Sequence, residues 1–310
     1  MPETAFMAPK SAKECEEEER RSKQRMPNDF NQRIIDEFRA NGGRVGGPFE
    51  GARLLLLTTT GARSGARHTT PLGRLPDGDR VLVVASAGGS PRHPAWYHNL
   101  RAEPRVTVED GVFLYDARAV VLEGEERDDA FARAVEFDAG WGEYQSRTTR
   151  VIPVVALEGF AEGPPTIPGA TTFGAYLTRV HGGLRREVAL IRKEIAESGP
   201  ESGTGGRSTA LGAQLRVNCL TLCEGLRRHH MGEDGSVFPM ARERFPELAP
   251  VLARLDREHR EIASILGELQ RIVTAGADPV AVLPEVDRLA AELEVHLAYE
   301  EEQLIPLMGG

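Results

Sequence analysis

Four segments in the last third of the chain constrain its fold more than any other feature, because apolar residues recur in each at alternating steps of three and four. The first runs Leu177, His181, Leu184, Val188, Ile191, Ile195 and the second Leu215, Cys219, Leu222, Leu226, His229, Glu233. The third runs Leu252, Leu255, His259, Ile262, Leu266, Leu269 and the fourth Val286, Leu289, Leu293, His296, Glu300. Such stepping holds each set on one helix face, and four such faces close on one another as an antiparallel four-helix bundle. Each stripe contains a histidine, and two also contain a glutamate. His229 and Glu233, like His296 and Glu300, stand four apart and so lie one above the other on the same face. An ionised carboxylate among Leu and Ile is costly without a partner, and a cation between the helices offsets that cost for both glutamates at once.

One histidine on an apolar stripe is most often a satisfied core residue. Four of them, with two carboxylates at the same offset, fit a metal site in a bundle core better. His181, His229, Glu233, His259, His296 and Glu300 are therefore the candidate ligands for a pair of ions. Imidazole and carboxylate without thiolate favour iron or manganese over structural zinc. Six ligands on two ions leave positions where a small molecule such as dioxygen could bind. His230 and Asp234 repeat the spacing but sit ~100° around the helix, which places them behind the ligands or at the surface. Cys219 lies on the ligand stripe and is expected to be a small core residue.

The rest of the chain has a different texture. Residues 1–25 are polar, of mixed charge, and read as a disordered tail. A helix is expected from Asn28, with Phe30, Ile34, Ile35 and Phe38 as its buried face and Gly42-Gly43 at its end. RLLLLTTT, RVLVVASA, RVTVE, FLYDARAVVLE and VIPVVAL follow as short Val-, Leu- and Thr-rich runs separated by GARSGAR, PDGD and EDG turns. Helical stretches are expected only near 95–102 and 127–137. Mostly antiparallel strands with a few peripheral helices predict a closed or partly closed barrel over residues 26–158. The Gly/Pro-rich stretch 159–172 reads as a linker, and 173–310 as the helical domain, with a second flexible break at 197–210.

Two stretches of the strand-rich part carry chemistry. In GARSGAR, Gly61 and Gly65 permit a tight turn with exposed N–H groups, while Arg63, Ser64 and Arg67 add donors and charge. Such a nest suits a phosphate, although most Gly-rich turns with an arginine are only hairpins. In ASAGGSPRHPAWYHNLRAEPRV, Gly88 and Gly89 let the backbone approach something flat, beside Trp96 and Tyr97. Taken alone, that stretch is a structural loop with core aromatics.

A net charge of -9 over 310 residues makes general nucleic-acid binding a poor fit. No apolar run approaches the ~20 residues of a membrane span, and the N-terminus lacks a signal-peptide core. Cys15, Cys219 and Cys223 are too few for a disulfide framework and fit a reducing compartment, so a cytoplasmic location is expected.

Residues 173–308 also resemble the hemerythrin-like HHE cation-binding family. The likeness rests on His181, HHMGEDGSVFP, LDREHREI and HLAYEEEQLIPLM. It implies two non-haem iron ions on the same six ligands. Oxygen-carrying hemerythrins place a further histidine four residues after the one in the third helix, where this chain has Ala263. That departure points toward sensing, redox or peroxide and nitric oxide chemistry rather than reversible oxygen carriage.

Residues 28–157 closely resemble the deazaflavin-dependent nitroreductase family, through FNQRIIDEFRANGG, LLLLTTTGARSG, ASAGGSPRHPAWYHNL, VLEGEERD, GEYQSRT and RVIPVVAL. The resemblance implies a flavin-reductase-like split β-barrel and the reduced deazaflavin coenzyme F(420), with quinones or nitro compounds as acceptors. It assigns Arg63, Ser64, Gly65 and Arg67 to the coenzyme phosphate and acidic tail. It gives Ser86, Ala87, Gly88, Gly89, Pro94, Trp96 and Tyr97 to the wall around the ring. Tyr144 is its candidate for touching the acceptor or donating a proton; a packed tyrosine is the competing reading. The sequence thus predicts an oxidoreductase fused to a di-iron domain for dioxygen, nitric oxide or redox sensing. The alternative is a non-catalytic metal-based sensor whose barrel only binds deazaflavin, FMN or haem.

Overall fold

The computed structural model describes residues 30–78, 80–111, 113–159, 172–197, 208–275 and 279–309. The expected tail at 1–25 lies outside these residues, as do most of the linker at 159–172 and most of the break at 197–210.

Strand β1 (Leu54–Thr60) is buried along almost its whole length because both of its faces are covered. Leu55 and Leu57 point into the barrel core with Val83, Trp96 and Val106. Leu54 and Leu56 point the other way, against Ile34, Ile35 and Phe38 of helix α1 (residues 30–40). This two-sided burial is why the strand reads as a continuous apolar run rather than an alternation. Gly42 and Gly43 follow α1 with positive φ, as a helix end requires. Phe30 does not join the buried face as expected. It is 43% exposed, at the first described position of α1, with Phe49 beside its ring and the Arg33 guanidinium over it.

β1 turns through the Gly-rich segment into β2 (Arg67–Gly73), its antiparallel partner from Leu54↔Gly73 to Thr60↔Arg67. β3 (Leu75–Asp77), β4 (Arg80–Val84), β5 (Arg105–Asp110), β6 (Phe113–Val121) and β7 (Val154–Gly159) complete a sheet in the order β2-β1-β5-β6-β7-β4-β3, every pair antiparallel. Pro71 and Pro76 stand on the two edge strands, where a missing N–H costs least. Helix α2 (Ala95–Ala102) fills one face of the curled sheet. Helix α3 (Gly124–Phe137) and the short α4 (Gly140–Ser146) cover the other, through Phe131, Ala134 and partly buried Trp141. The result is an antiparallel half-barrel.

The second part is helical: α5 (Phe173–Glu197), α6 (Ser208–Gly232), a π-helical turn (Glu233–Val237), α7 (Phe238–Arg244), α8 (Ala249–Thr274) and α9 (Pro279–Met308). The long helices pack in a ring, α5 on α6 and α9, and α8 on α6 and α9. Every residue of the four sequence stripes is buried. Among the described residues, no helix is long and apolar enough to cross a membrane.

Helix α6 also faces the half-barrel. Arg74 is buried and reaches Glu224 at 2.6 Å, Asp110 at 3.0 Å and the Thr221 hydroxyl at 2.7 Å. Arg53 meets Glu187 of α5 at 2.6 Å and Asn218 of α6 at 2.7 Å. Phe113 of β6 belongs to the bundle's own apolar cluster. A cavity of about 80 Å³ lies at this seam, lined by these ion pairs, and touches neither of the candidate sites described next.

Candidate functional site

In the bundle, His181 lies near the start of α5, His229 near the end of α6, His259 in the first half of α8 and His296 in the second half of α9. Antiparallel packing brings these positions to one level. Apolar side chains close the bundle on both sides of that level: Leu184, Leu226, Ile262 and Leu293 toward one end, Phe238, Leu252, Leu255 and Leu304 toward the other. The side chains between them are nearly waterless, with Glu300 and His181 fully buried.

The structure brings all six sequence-predicted residues together. His181 Nε2 is 3.1 Å from His229 Nε2 and 3.4 Å from Glu300 Oε2. Glu233 lies 3.2 Å from His229 Nε2 by one oxygen and 3.6 Å from His259 Nε2 by the other. His296 Nε2 is 3.7 Å from Glu300 Oε2. Three of the imidazoles are oriented from behind by carboxylates at Nδ1: His181 by Glu301 at 2.8 Å, His259 by Asp234 at 2.8 Å and His296 by Glu258 at 3.0 Å. A proton fixed on Nδ1 leaves the Nε2 lone pair facing inward, the arrangement that a metal ion requires. Arg185 and Arg254 in turn hold Glu301 and Glu258.

The electrostatics call for a cation. Burial drives the Glu233 carboxyl well above its usual range, and the neighbouring Glu300 adds to this. Burial pushes Glu300 the same way, but His181 first, then His229 and His296, hold it down to about 2. Two carboxyls in one dry site thus share a single negative charge, and a cation allows both to ionise. Burial, with neighbouring histidines adding to it, lowers His229 and His230 well below the usual imidazole range and leaves them neutral. His259 Nε2, His296 Nε2 and both oxygens of Glu233 and of Glu300 are buried without any hydrogen-bond partner. Orphaned atoms of this number, all of them metal-ligand types, fit bound metal.

Sequence spacing set His230 aside, whereas the structure buries it against His259 and His296. Adjacent helix positions differ by about 100°, yet the His230 ring turns inward, stacked on His259 and edge-on to His296. Asp234 is half exposed and bonds His259 from behind. Cys219 is a fully buried core residue, as expected.

In the half-barrel, the two motif stretches lie side by side. Asn99 of α2 accepts a hydrogen bond from the Ala62 N–H in the Gly-rich turn and donates one to Thr59, both at 3.1 Å. Arg63, Ser64, Gly65 and Arg67 form the exposed rim of that turn. Gly65 has φ +67° with open space where a Cβ would project. Ser64 Oγ accepts from Ala66 N–H, and Arg67 donates to Thr107.

Beyond β4, the backbone passes through three successive positive φ values, at Ala87, Gly88 and Gly89. Ala87 at +49° is strained, a condition that persists where surrounding structure fixes the loop. Here Arg150 does so, donating to the carbonyls of Ala85, Ser86 and Ser90 and contacting His93 Nδ1 at 3.0 Å. Gly89 packs so closely on α4 that a Cβ would lie 2.9 Å from the Tyr144 carbonyl. Pro94 precedes α2, and Trp96 and Tyr97 are buried in the barrel core with His93 against the Tyr97 ring. Tyr144 is partly buried on Trp141 and Arg147. Left-handed turns exposing backbone beside arginines fit an anionic, flat coenzyme. Arg150 and Asn99 escaped sequence reading because both act on distant backbone and leave no local pattern.

The comparisons agree with both halves. Residues 31–159 match the family model of F(420)H(2)-dependent quinone reductase, and residues 172–308 match the hemerythrin HHE cation binding domain. An F(420)H(2)-dependent quinone reductase of Mycobacterium tuberculosis is 43% identical over 124 residues, which are 39% of this chain and 83% of that protein. Its counterpart in a second strain of the same species matches to the same extent, at 43% over 124 residues. A solved F(420)-H2 dependent reductase (FDR-A) is 45% identical, with a TM-score of 0.33, over 34% of this chain and 94% of that one. The chain therefore belongs to the F(420)H(2)-dependent quinone reductase family through its half-barrel, and it carries a hemerythrin HHE cation binding domain after it.

Proposed function

We propose that the half-barrel reduces a quinone-like or nitro acceptor with reduced deazaflavin, and that the bundle holds two iron ions through which the protein responds to dioxygen, nitric oxide or redox state. Family membership carries the first part, and the partnerless donor atoms around Glu233 and Glu300 carry the second.

The reduced coenzyme, when bound, supplies a hydride to the acceptor. The chain's own part is to bind, orient and shield. Arg63 and Arg67, with the backbone of Ser64 and Gly65, hold the phosphate and acidic tail. The Ser86–Gly89 segment, with Pro94, Trp96 and Tyr97, forms the wall for the ring, and Arg150 keeps that loop in its strained form. Orientation of this kind supplies much of the rate in a two-reactant transfer. Tyr144 offers a hydroxyl to the oxygen on which negative charge develops. In the bundle, His181, His229, Glu233, His259, His296 and Glu300 hold the ions, and the apolar layers on both sides exclude water.

The test uses the purified full chain loaded with ferrous iron. Oxidation of reduced deazaflavin on adding a quinone, together with two irons per chain by mass spectrometry, is the expected result. Failure with every quinone and nitro compound tried removes the reductase reading. Tight coenzyme binding without turnover favours the cofactor-binding sensor instead.

A further inference from the structure

The seam cavity takes its lining from both halves of the chain: Leu54 and Phe113 from the half-barrel, Leu184 and Leu222 from the bundle. Its volume, about 80 Å³, is several times the ~10–15 Å³ that one water molecule needs. Among these apolar residues stand five arginines, Arg44, Arg53, Arg74, Arg186 and Arg228, against three carboxylates, Asp110, Glu187 and Glu224. The chain as a whole carries a net charge of -9, so a local surplus of positive charge is a feature of this place and not of the composition. The carboxylates are already in use. Glu224 accepts from Arg74 by one oxygen and from Arg228 by the other, both at 2.6 Å. Glu187 meets Arg44 at 3.3 Å and Arg53 at 2.6 Å, again by separate oxygens. Asp110 meets Arg74 at 3.0 Å. Arg186 makes no hydrogen bond or ion pair among the described residues, and Arg228 hydrogen-bonds only to Glu224. A guanidinium carries five N–H donors in a planar fork that matches a carboxylate, so donors are left over on both. Arg44 and Arg186 are exposed, which marks the open side of the cavity.

We propose that this cavity binds a short-chain mono- or dicarboxylate, its charge held by the arginine donors that Asp110, Glu187 and Glu224 leave over and its carbons against Phe113, Leu184 and Leu222. Apolar walls with a few convergent charged groups at a domain boundary are the usual make-up of a small-molecule site. Phosphate carries comparable charge but has no carbons to set against those walls. Because the lining comes from both halves, the bound carboxylate joins them, and its concentration sets how firmly the half-barrel and the bundle hold together. Neither coenzyme nor metal takes part in this binding.

The test titrates succinate, propionate, acetate and inorganic phosphate into the dialysed full chain by calorimetry, at constant ionic strength with chloride as the balancing ion. Succinate should bind with a dissociation constant of about 1 mM or tighter. At about a hundredfold excess over that constant it should raise the melting temperature by a few degrees. Propionate should bind about fourfold more tightly than acetate, the effect of one buried methylene, and phosphate at least about tenfold more weakly than succinate. Arg186→Gln should weaken succinate binding by about tenfold or more, the size of one charge-assisted hydrogen bond. Arg192→Gln removes the same charge from the same helix outside the cavity and should leave binding within about twofold of wild type. Both arginines are exposed, so both variants should melt with wild type. On adding succinate, amide exchange should slow in residues 42–44 and in residues 183–187, one segment from each half. No binding of succinate or propionate, phosphate as tight as succinate, or equal losses in the two arginine variants overturns the proposal. Slowed exchange confined to one half overturns the joining of the halves.

Discussion

The two halves of this chain prepare for a ligand in opposite ways. The half-barrel uses exposed backbone, turned outward by Gly65 and Gly88 and flanked by arginines, so water can solvate these turns. The bundle uses buried side chains on rigid helices, and water does not reach Glu233, Glu300 or the imidazoles. An open site of the first kind is nearly neutral to folding. A closed site of the second kind leaves ligand atoms unsatisfied and makes metal binding part of folding.

The largest expected effect follows from that contrast. With free iron about a thousandfold above its dissociation constant, binding stabilises the bundle by about 4 kcal/mol. Chelation should therefore lower the bundle's melting temperature by roughly 10 °C or more, measured by calorimetry. Glu300→Ala, which removes the carboxylate touching His181 and His296, should abolish uptake of at least one ion. Neither change should move deazaflavin affinity by more than about twofold, the margin expected of independent sites. A coenzyme affinity that falls with the metal content would break the comparison.

The seam between the halves comes next. Arg74 is buried with Glu224 and Asp110, and removing one partner of such a group typically costs about 3–5 kcal/mol. Arg228 also touches Glu224, which puts Arg74→Ala near the lower end. Its denaturant unfolding should separate into two transitions, one per half. A cost below about 1 kcal/mol with one transition retained would mean that the ion pairs do not join the halves.

Acid should distinguish the halves by a somewhat smaller amount. In the metal-free protein, burial holds His229 and His230 well below their usual range and lowers His296. A histidine whose folded pKa is depressed contributes stability above its unfolded pKa, about 6.5, and loses it below, at up to about 1.4 kcal/mol per pH unit. Glu233 is raised and works in the opposite sense, losing stability as pH rises above about 4.3. Glu300, held at about 2, contributes above its unfolded value and changes only in stronger acid. Three histidines outweigh one glutamate, so the chelated bundle should weaken between pH 7.5 and pH 5.5. Urea midpoints that stay flat across that interval would contradict the burial of neutral imidazoles.

The same contrast explains what could be read from the sequence. The four stripes were legible because a 3.6-residue period fixes a face, and each stripe residue is buried. Strands β1, β4, β5, β6 and β7 were legible from their Val and Leu runs. Helix α4 was hidden by Gly140 and Gly142, which weaken helix propensity, and β3 by its length and Pro76. His230 was set aside because periodicity ranks faces one residue at a time, whereas the packing of four helices buries it against His259 and His296. Arg74, Asn99 and Arg150 act across long sequence separations, on carboxylates or backbone that only the fold brings near.

Substitutions at the glycine loop sharpen the comparison from the barrel side. Gly89 has φ +80°, and a Cβ there would sit 2.9 Å from the Arg147 Cβ and the Tyr144 carbonyl. Gly88 has φ +64° and open space. Left-handed strain of about 1–2 kcal/mol applies to both, and the clash applies only to Gly89. Gly89→Ala should weaken deazaflavin binding by more than about tenfold and Gly88→Ala by less, with the iron content of both unchanged. Equal effects would mean that strain, not the fit against α4, sets the loop.

Tyr144→Phe carries the smallest expected effect and decides between two readings of one residue. The ring is partly buried against Trp141, and Arg147 lies over its face at 5.5 Å, contacts that phenylalanine preserves. Stability and coenzyme affinity should therefore stay within about 0.5 kcal/mol of wild type, as for a change that leaves packing intact. If the hydroxyl stabilises charge on the acceptor, kcat should fall by about tenfold or more at unchanged coenzyme affinity, the pattern of an interaction made only in the transition state. If the tyrosine only packs, kcat is unchanged. The barrel's acceptor-side donor must then be backbone of the Ser86–Gly89 loop, and the half-barrel would bind and react through main chain, where the bundle does so through side chains.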